Sequence, residues 1–506
     1  MFTNNDINLL EERFDDIINE ISIKRANMFG PTEDDIVNIN KIIHDYIKLN
    51  RRKIYGGYAL DLLVKNKGKM LYDNKVILKT PDIDFYSHEP IKDLIKLCNL
   101  LDDAGFSYVM GKEAMHKETY SITVNMKLFC DITYVPVNIN KTIPFNIIDD
   151  YHIVSPLFMS IDYLRILSDP ITSYWRIKKS FDRFALLTDC YPLNDIIKKN
   201  PNIKIDEKYI KNQYNKSFSY KIRYDIDVMI MSFLVSNKSC VSVGPSSMQY
   251  FLNEIETSSK TFDDIFCHQI ISTDYANDIA IFIDIISKSF LKNDLSYEEH
   301  RPYFQFTGNS MHIKYLDTTV LKIYSSNNKC IPYHEVDTPY SLSHGKTIKI
   351  GTYSLVLKSL LVELMTNRTS GDKHLMSTYY HVVEYFVDIR KKYFELNQNK
   401  NVFSESLFKE FSLNCIGVTL SPELERKHLI ENRKKTGKKL TFIYEPKDNH
   451  KDPADDSYYF ANSSGNKIIL KQQKINDAIK ETSDDAIKET SDDAIKETSD
   501  EIKKST

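Results

Sequence analysis

Between Lys53 and Val64 the apolar spacing changes from a short β run, Lys53-Ile54-Tyr55, to the three- and four-residue intervals of a helix, and Gly56-Gly57 stands at the change. A strand, a glycine pair and a helix start bring bare backbone and unpaired N–H groups to one point, where they suit a negatively charged oxygen. In Pro81-Asp82-Ile83-Asp84-Phe85-Tyr86 the acids alternate with Ile83 and Phe85. Strand side chains alternate between faces, so both carboxylates leave one face while their apolar neighbours pack on the other. Farther on, Tyr120–Val124 and Lys127–Val135 read as two strands joined by a tight turn at Asn125-Met126, which sets a third acid, Asp131, on the same sheet. The order predicts an α+β fold, a mixed sheet with flanking helices, in which three carboxylates converge beside the glycine turn.

Each piece alone is weak. A Gly-Gly pair is most often only a turn, and an Asp-x-Asp pair on a strand is most often a solvated edge. Their order carries the reading. Carboxylates at close quarters suit a hard divalent cation such as Mg2+, and two such ions about 3.5–4 Å apart stabilise the attacking and leaving oxygens of a displacement at phosphorus. The expectation is a site that holds two divalent cations and transfers a nucleotide. A phosphate-binding-loop ATPase is excluded, since Gly56-Gly57-Tyr58-Ala59-Leu60-Asp61 lacks the Gly-Lys-Ser/Thr end of such loops.

At these residues the chain resembles the DNA polymerase beta-type nucleotidyltransferases. The wider stretch from Ile54-Tyr-Gly-Gly-Tyr-Ala-Leu-Asp61 through Tyr151–Arg165 to Trp175–Arg183 is similar to the poly(A) polymerase catalytic subunits of large DNA viruses, a poxvirus-type enzyme in its giant-virus form. The resemblance implies that Asp82, Asp84 and Asp131 are the catalytic residues and bind two Mg2+ or Mn2+ ions, and that Gly56, Gly57, Tyr58 and Lys179 bind the nucleotide phosphates of ATP. It implies template-independent addition of AMP from ATP to an RNA 3′ end, with pyrophosphate released. Many members carry a Ser just after the first Gly, where this chain has Gly57 and Tyr58. Two other readings stay open: another RNA terminal nucleotidyltransferase such as a uridylyltransferase, and a non-catalytic scaffold that binds RNA or nucleotide.

Composition is that of an ordinary soluble protein, with 42% hydrophobic and 27% charged residues among 506. No stretch approaches the roughly 20 apolar residues of a membrane span, and no basic-then-apolar leader opens the chain. Seven scattered cysteines without a Cys-x-x-Cys pair read as reduced thiols of an intracellular protein, in the host cytoplasm or a virion if the resemblance holds. Net charge is −3, but three copies of Asp-Ala-Ile-Lys-Glu-Thr-Ser-Asp from Asp477 to Asp500 make the tail acidic and leave a slightly basic body.

Two basic stretches are candidate RNA contacts. Tyr174–Phe184 spaces Ile177, Phe181 and Phe184 as the core stripe of a helix, with Arg176, Lys178, Lys179 and Arg183 left on the other faces. Tyr174 and Trp175 read as core, with base stacking as the alternative. The second, around Arg433, Lys434 and Lys435, reads as a solvated loop that meets RNA phosphate.

The marks divide the chain into an N-terminal helical region (1–45), a catalytic domain (46–185), a helical connector (186–235) broken at Asn200-Pro201, a C-terminal domain (236–450) and a disordered acidic tail (451–506). Cys240-Val-Ser-Val-Gly244 followed by Pro245–Leu252 echoes the strand–glycine–helix layout without a following Asp-x-Asp pair, which suggests a degenerate second nucleotidyltransferase-like domain. The expected partners are an RNA 3′ end and ATP, with no membrane. A growing tail needs an extended basic track, which a homodimer or a separate processivity subunit would supply.

Overall fold

The computed structural model describes residues 2–72, 80–193, 219–255, 267–338, 346–437 and 441–446. The acidic repeats, the Asn200-Pro201 break and Lys438-Lys439 lie outside the described residues. The chain forms two compact units, one of Met1–Pro90 with Phe129–Pro422, the other of Ile91–Leu128 with the chain from Glu423.

The first unit opens with helices Asn4–Phe29 and Glu33–Leu49, each started by a capping box in which Thr3 or Thr32 exchanges hydrogen bonds with Asp6 or Asp35. The second helix turns Ile36, Ile39, Ile43 and Ile47 inward at helical spacing, whereas the first buries no residue. The first strands of the chain are β1 (Lys53–Tyr55), β2 (Ile83–Ser87), β3 (Val109–Glu113), β4 (Thr119–Val124), β5 (Lys127–Tyr134), β6 (Phe145–Ile148) and β7 (Tyr151–Val154), of which β3 and β4 belong to the second unit. Two-residue turns with both φ positive, as tight hairpins require, sit at Asn125-Met126 and Asp149-Asp150. Within the first unit the strand order is β5-β2-β1-β7-β6: β1 is antiparallel to β2 and parallel to β7, β2 is parallel to β5, and β6 and β7 are antiparallel.

A second sheet repeats the plan. Its strands are β8 (Cys240–Val243), β9 (His268–Ser272), β10 (Leu295–His300), β11 (Ser310–Tyr315), β12 (Thr318–Ser325), β13 (Ile331–Asp337), β14 (Thr347–Gly351) and β15 (Cys415–Ile416). The order β12-β9-β8-β14-β13 carries the same parallel and antiparallel relations, position for position. Gly244 follows β8 with φ 75°, as Gly56 follows β1 with φ 74°. Asp84 pairs with Tyr55 and Asp131, and its counterpart Gln269 pairs with Val243 and Lys322. The echo therefore keeps the frame and replaces the acids, with Cys267, Gln269 and Lys322 where the first sheet has Asp82, Asp84 and Asp131. Gln269 donates to the Tyr379 hydroxyl at 2.8 Å, and Lys322 Nζ pairs with Glu363 at 2.6 Å, so these side chains are tied into the core.

Helix Pro156–Leu167, capped by Ser155, follows β7 and packs on helix Tyr353–Ser370, which follows β14. Their shared core includes Phe158, Ile161, Leu164, Leu357, Leu361 and Leu364. Cys330 and Cys415 form a disulfide, which corrects the expectation of seven reduced thiols. The two are 85 residues apart, and the antiparallel pairing of Ile331-Pro332 with Cys415-Ile416 brings them together.

In the second unit β3 pairs with β4 and with the short strand Ile443–Tyr444. The basic stretch near Arg433 is a helix, Pro422–Lys435, where a solvated loop was expected. It is fixed by Arg433, whose guanidinium meets Glu113 with two bonds of 2.8 Å. Among the described residues no helix is long and apolar enough to cross a membrane.

Candidate active site

Asp84 lies mid-sheet between Tyr55 of β1 and Asp131 of β5. Since β2 and β5 run parallel in register at this pair, both carboxylates leave the same face. Asp82 precedes β2 by one residue and Asp84 by two, which returns it to that face. One ligand oxygen from each of the three acids lies within 4.8 Å of the others, and all three side chains are half-buried.

The two glycines serve different neighbours. Gly56 has φ 74°, and a β-carbon on it would lie 2.0 Å from Asp84 Oδ2. Gly57 is helical in backbone, yet a β-carbon there would lie 2.3 Å from the Tyr72 hydroxyl and 3.0 Å from Arg183 Nη2. Tyr72 is held by Asp61, a buried acid in helix Gly56–Lys65, whose Oδ1 accepts from the backbone N–H groups of Leu71 (3.0 Å) and Tyr72 (3.2 Å). Asp61 Oδ2 also pairs with Lys65 at 2.6 Å. The Tyr72 hydroxyl in turn accepts from Arg183 Nη2 at 2.5 Å, so a chain of contacts from Asp61 sets a guanidinium over the glycine turn.

Burial first, and then the Asp82 and Asp131 charges, push the Asp84 carboxyl well above the usual carboxylate range, while Arg183 pulls it down. Three acids so close hold more negative charge than one guanidinium balances. Lys179 also faces the group: Arg183, burial and Arg176 lower its ammonium, and Asp82 and Asp84 act the other way. Beside the acids, on the same face of the sheet, Tyr55 stacks on Tyr86 with ring centroids 4.1 Å apart and hydrogen-bonds Thr133 at 2.6 Å. Burial and the Asp84 charge push the Tyr55 hydroxyl well above its ordinary value, so it stays neutral.

The structure thus gathers Asp82, Asp84, Asp131, Gly56, Gly57, Lys179 and Arg183. Arg176 lies near Lys179, its guanidinium 5.1 Å from the Trp175 ring. Lys178 points elsewhere, paired with Asp182 at 2.8 Å on an exposed surface. The Tyr58 ring sits against His44 and Tyr151, turned into an aromatic cluster. Arg433, Lys434 and Lys435 belong to the second unit. Tyr174 and Trp175 are 76% and 66% exposed, which corrects their expected place in the core, and Phe181 of the expected core stripe is exposed too. Helix Ile177–Cys190 buries only Ser180 and Leu187 fully, so its apolar stripe is shallow. Sequence reasoning missed Tyr72 and Asp61. An acid inside the apolar helical run Ala59-Leu60-Asp61-Leu62-Leu63 was a usable signal for Asp61, and Tyr72 gave none.

Comparisons agree on one family. A family model described as "Poly(A) polymerase catalytic subunit" matches residues 41–173, and one described as "APMV, Putative poly(A) polymerase, catalytic subunit, C-terminal" matches residues 228–476. A poly(A) polymerase catalytic subunit of Acanthamoeba polyphaga mimivirus, described with the same qualifier, is 32% identical over 502 residues, covering 93% of this chain and 83% of that protein. One from African swine fever virus (isolate Pig/Kenya/KEN-50/1950), likewise qualified, is 25% identical over 185 residues, 35% of this chain and 36% of that protein. The crystal structure of the Megavirus polyadenylate synthase superimposes with a TM-score of 0.76 at 28% identity, covering 90% of this chain and 88% of that one.

Proposed function

The chain belongs to the family of poly(A) polymerase catalytic subunits, enzymes of nucleotidyltransferase type, and from that membership we propose that it adds AMP from ATP to RNA 3′ ends with two divalent cations at Asp82, Asp84 and Asp131. The observation that carries the reading is the meeting of three carboxylates beside the Gly56 turn, the one such acid cluster among the described residues.

The donors fit Mg2+ or Mn2+: all are carboxylate oxygens, as hard ions prefer, and their mutual repulsion at Asp84 is relieved by a cation. When bound, two such ions stabilise the attacking and leaving oxygens and make the RNA 3′-hydroxyl easier to deprotonate. The chain's own groups do the rest. Gly56 and Gly57 let the triphosphate approach the first N–H groups of helix Gly56–Lys65, where the helix end favours negative charge. Arg183 and Lys179 supply countercharge from the facing helix and match the charge that pyrophosphate carries away. Tyr55 and Tyr86 stack beside Asp84 on the same face of the sheet and flank it. The substrates, ATP and RNA 3′ ends, place the reaction inside a cell or virion.

Extension of a labelled RNA primer with each NTP and Mg2+ or Mn2+ tests the proposal. Long products with ATP, lost in an Asp82→Ala, Asp84→Ala double variant, support it. Extension with UTP in preference to ATP, or none by folded protein, overturns it.

A further inference from the structure

Three cations gather on the first unit where helix Pro156–Leu167 packs on helix Tyr353–Ser370. Arg165, on helix Pro156–Leu167, pairs with Asp162 at 2.8 Å and donates to Gln305 at 3.3 Å, and its buried Nε has no hydrogen-bond partner. Lys329, in the loop after β12, pairs with Asp169 at 3.2 Å. Asp169 also accepts from the Thr172 hydroxyl at 2.5 Å, so its lone pairs are divided. Lys358, half-buried on helix Tyr353–Ser370, interacts with Arg165, Lys329 and Asp169 but makes no ion pair or hydrogen bond with any described residue. Burial first, then the Arg165 charge, draw its ammonium down to about 8, and Asp169 offsets this only in part. Three cations thus share two carboxylates, and the one with no partner is short of an anion.

The cluster's place says which anion. Asp162 is close enough to raise the Asp84 carboxyl, so the helix that bears it runs past the three acids. That helix ends at Leu167, about 8 Å of rise beyond Asp162, and Asp169 caps the next short helix two residues on. A strand whose 3′-hydroxyl meets Asp84 covers that distance in about two or three nucleotides. The triphosphate has its own countercharge in Arg183 and Lys179 at the glycine turn, which leaves this second cationic group to the other substrate.

We propose that Arg165, Lys329 and Lys358 form a binding site for a backbone phosphate of the RNA primer, two or three nucleotides upstream of the 3′ end. The inference rests on the primer-extending reading above. It assigns RNA contact to residues outside both basic stretches of the sequence, and makes helices from the two sheets a joint wall for the primer.

The test separates RNA binding from turnover. Equilibrium binding of a labelled oligoadenylate without ATP is measured for unchanged protein, Lys358→Met and Lys358→Arg, beside ATP binding without RNA and thermal melting. Lys358→Met is expected to bind oligoadenylate roughly tenfold more weakly, as loss of a charge-assisted bond implies. The slope of log K against log salt should fall by about 0.7. ATP affinity stays unchanged and melting is no lower, since an unpaired half-buried cation has been removed. Lys358→Arg restores RNA affinity, and removes the weakening that unchanged protein shows as the ammonium, facing Arg165, Lys329 and Asp169, loses its proton above about pH 8. Unchanged RNA affinity in Lys358→Met overturns the site, and so does a loss of ATP affinity with RNA affinity kept. Extension by unchanged protein is scored separately, so failure of the functional reading is not confused with failure of this one.

Discussion

Oδ2 of Asp84 fills the space that a β-carbon on Gly56 would need, at 2.0 Å. The glycine therefore answers two demands at once, a φ of 74° and close contact with an acid of the three-carboxylate cluster. Gly56→Ala adds about 1–2 kcal/mol of left-handed strain and forces the Asp84 carboxylate off its place. Extension activity should fall at least about a hundredfold, as sub-ångström positioning of reacting groups implies. Circular dichroism should remain that of the folded chain. Retention of most activity would show that Asp84 has room the structure does not give it.

The raised Asp84 carboxyl sets a pH dependence. Its folded-state value lies above its unfolded one, so the folded chain binds the proton more tightly, and stability without divalent ions falls as pH rises from the ordinary carboxylate range through the raised value. Asp84→Asn removes that fall, and at neutral pH without divalent ions it should melt above the unchanged protein. Saturating Mg2+ should raise the melting point of the unchanged protein and leave Asp84→Asn nearly still. Melting curves across pH, with and without Mg2+, check both halves.

What the sequence shows of this site is what is local. The period of two in Asp82-Ile83-Asp84-Phe85 and the glycine pair after Tyr55 are written within a few residues, and Gly244 advertised the second sheet in the same way. Arg183 and Tyr72 are 111 residues apart, and only the packing of helix Ile177–Cys190 near helix Gly56–Lys65 brings them together. The disulfide partners are hidden for the same reason. Trp175 and Phe181 misled because apolar spacing says that a face exists, not how deeply a neighbour covers it.

The second sheet makes its own prediction. Lys322 stands in register where the first sheet has Asp131, and its ammonium meets Glu363, 4% exposed in side chain, at 2.6 Å. Tyr324 donates to the other Glu363 oxygen. Lys322→Met leaves a buried carboxylate without its countercharge and should cost about 3–5 kcal/mol. Lys322→Met with Glu363→Leu should recover most of that loss, because the pair's attraction was largely offset by its own desolvation. Urea unfolding of the single and double variants checks this, and a single variant near neutral would refute it.

Within the second unit, Arg433 and its neighbours should separate by role. Arg433 is engaged by Glu113 through two charge-assisted bonds in a partly buried setting, and Arg426 donates to the Ala114 carbonyl on the same segment. Arg433→Ala should lower unfolding stability by about 1–3 kcal/mol. Lys434→Ala with Lys435→Ala should leave stability within about 0.5 kcal/mol. If this helix meets RNA, the lysine variant is the one that weakens oligoadenylate binding and lowers its salt slope.

His44 supplies a switch in stability at mildly acid pH. Its ring lies between Tyr58 at 5.1 Å and Tyr151 at 5.6 Å, with Nδ1 buried and unpartnered. Burial first, then the Lys48 charge, draw its imidazole down to about 4, against a weaker pull from Asp45. In the unfolded chain the same ring takes its proton near pH 6.5. Above that value both states are neutral and His44 has no effect. As pH falls from about 6.5 to about 4 only the unfolded state gains the proton, so stability is lost across that window and no further below it. The full loss is on the order of 3 kcal/mol, and solvent reaching the ring makes it smaller. His44→Phe keeps the aromatic packing and removes the titration. Its stability relative to unchanged protein, from urea unfolding, should rise steadily between pH 7 and pH 4.5, and equal slopes for the two proteins would show that His44 takes up its proton in the folded state.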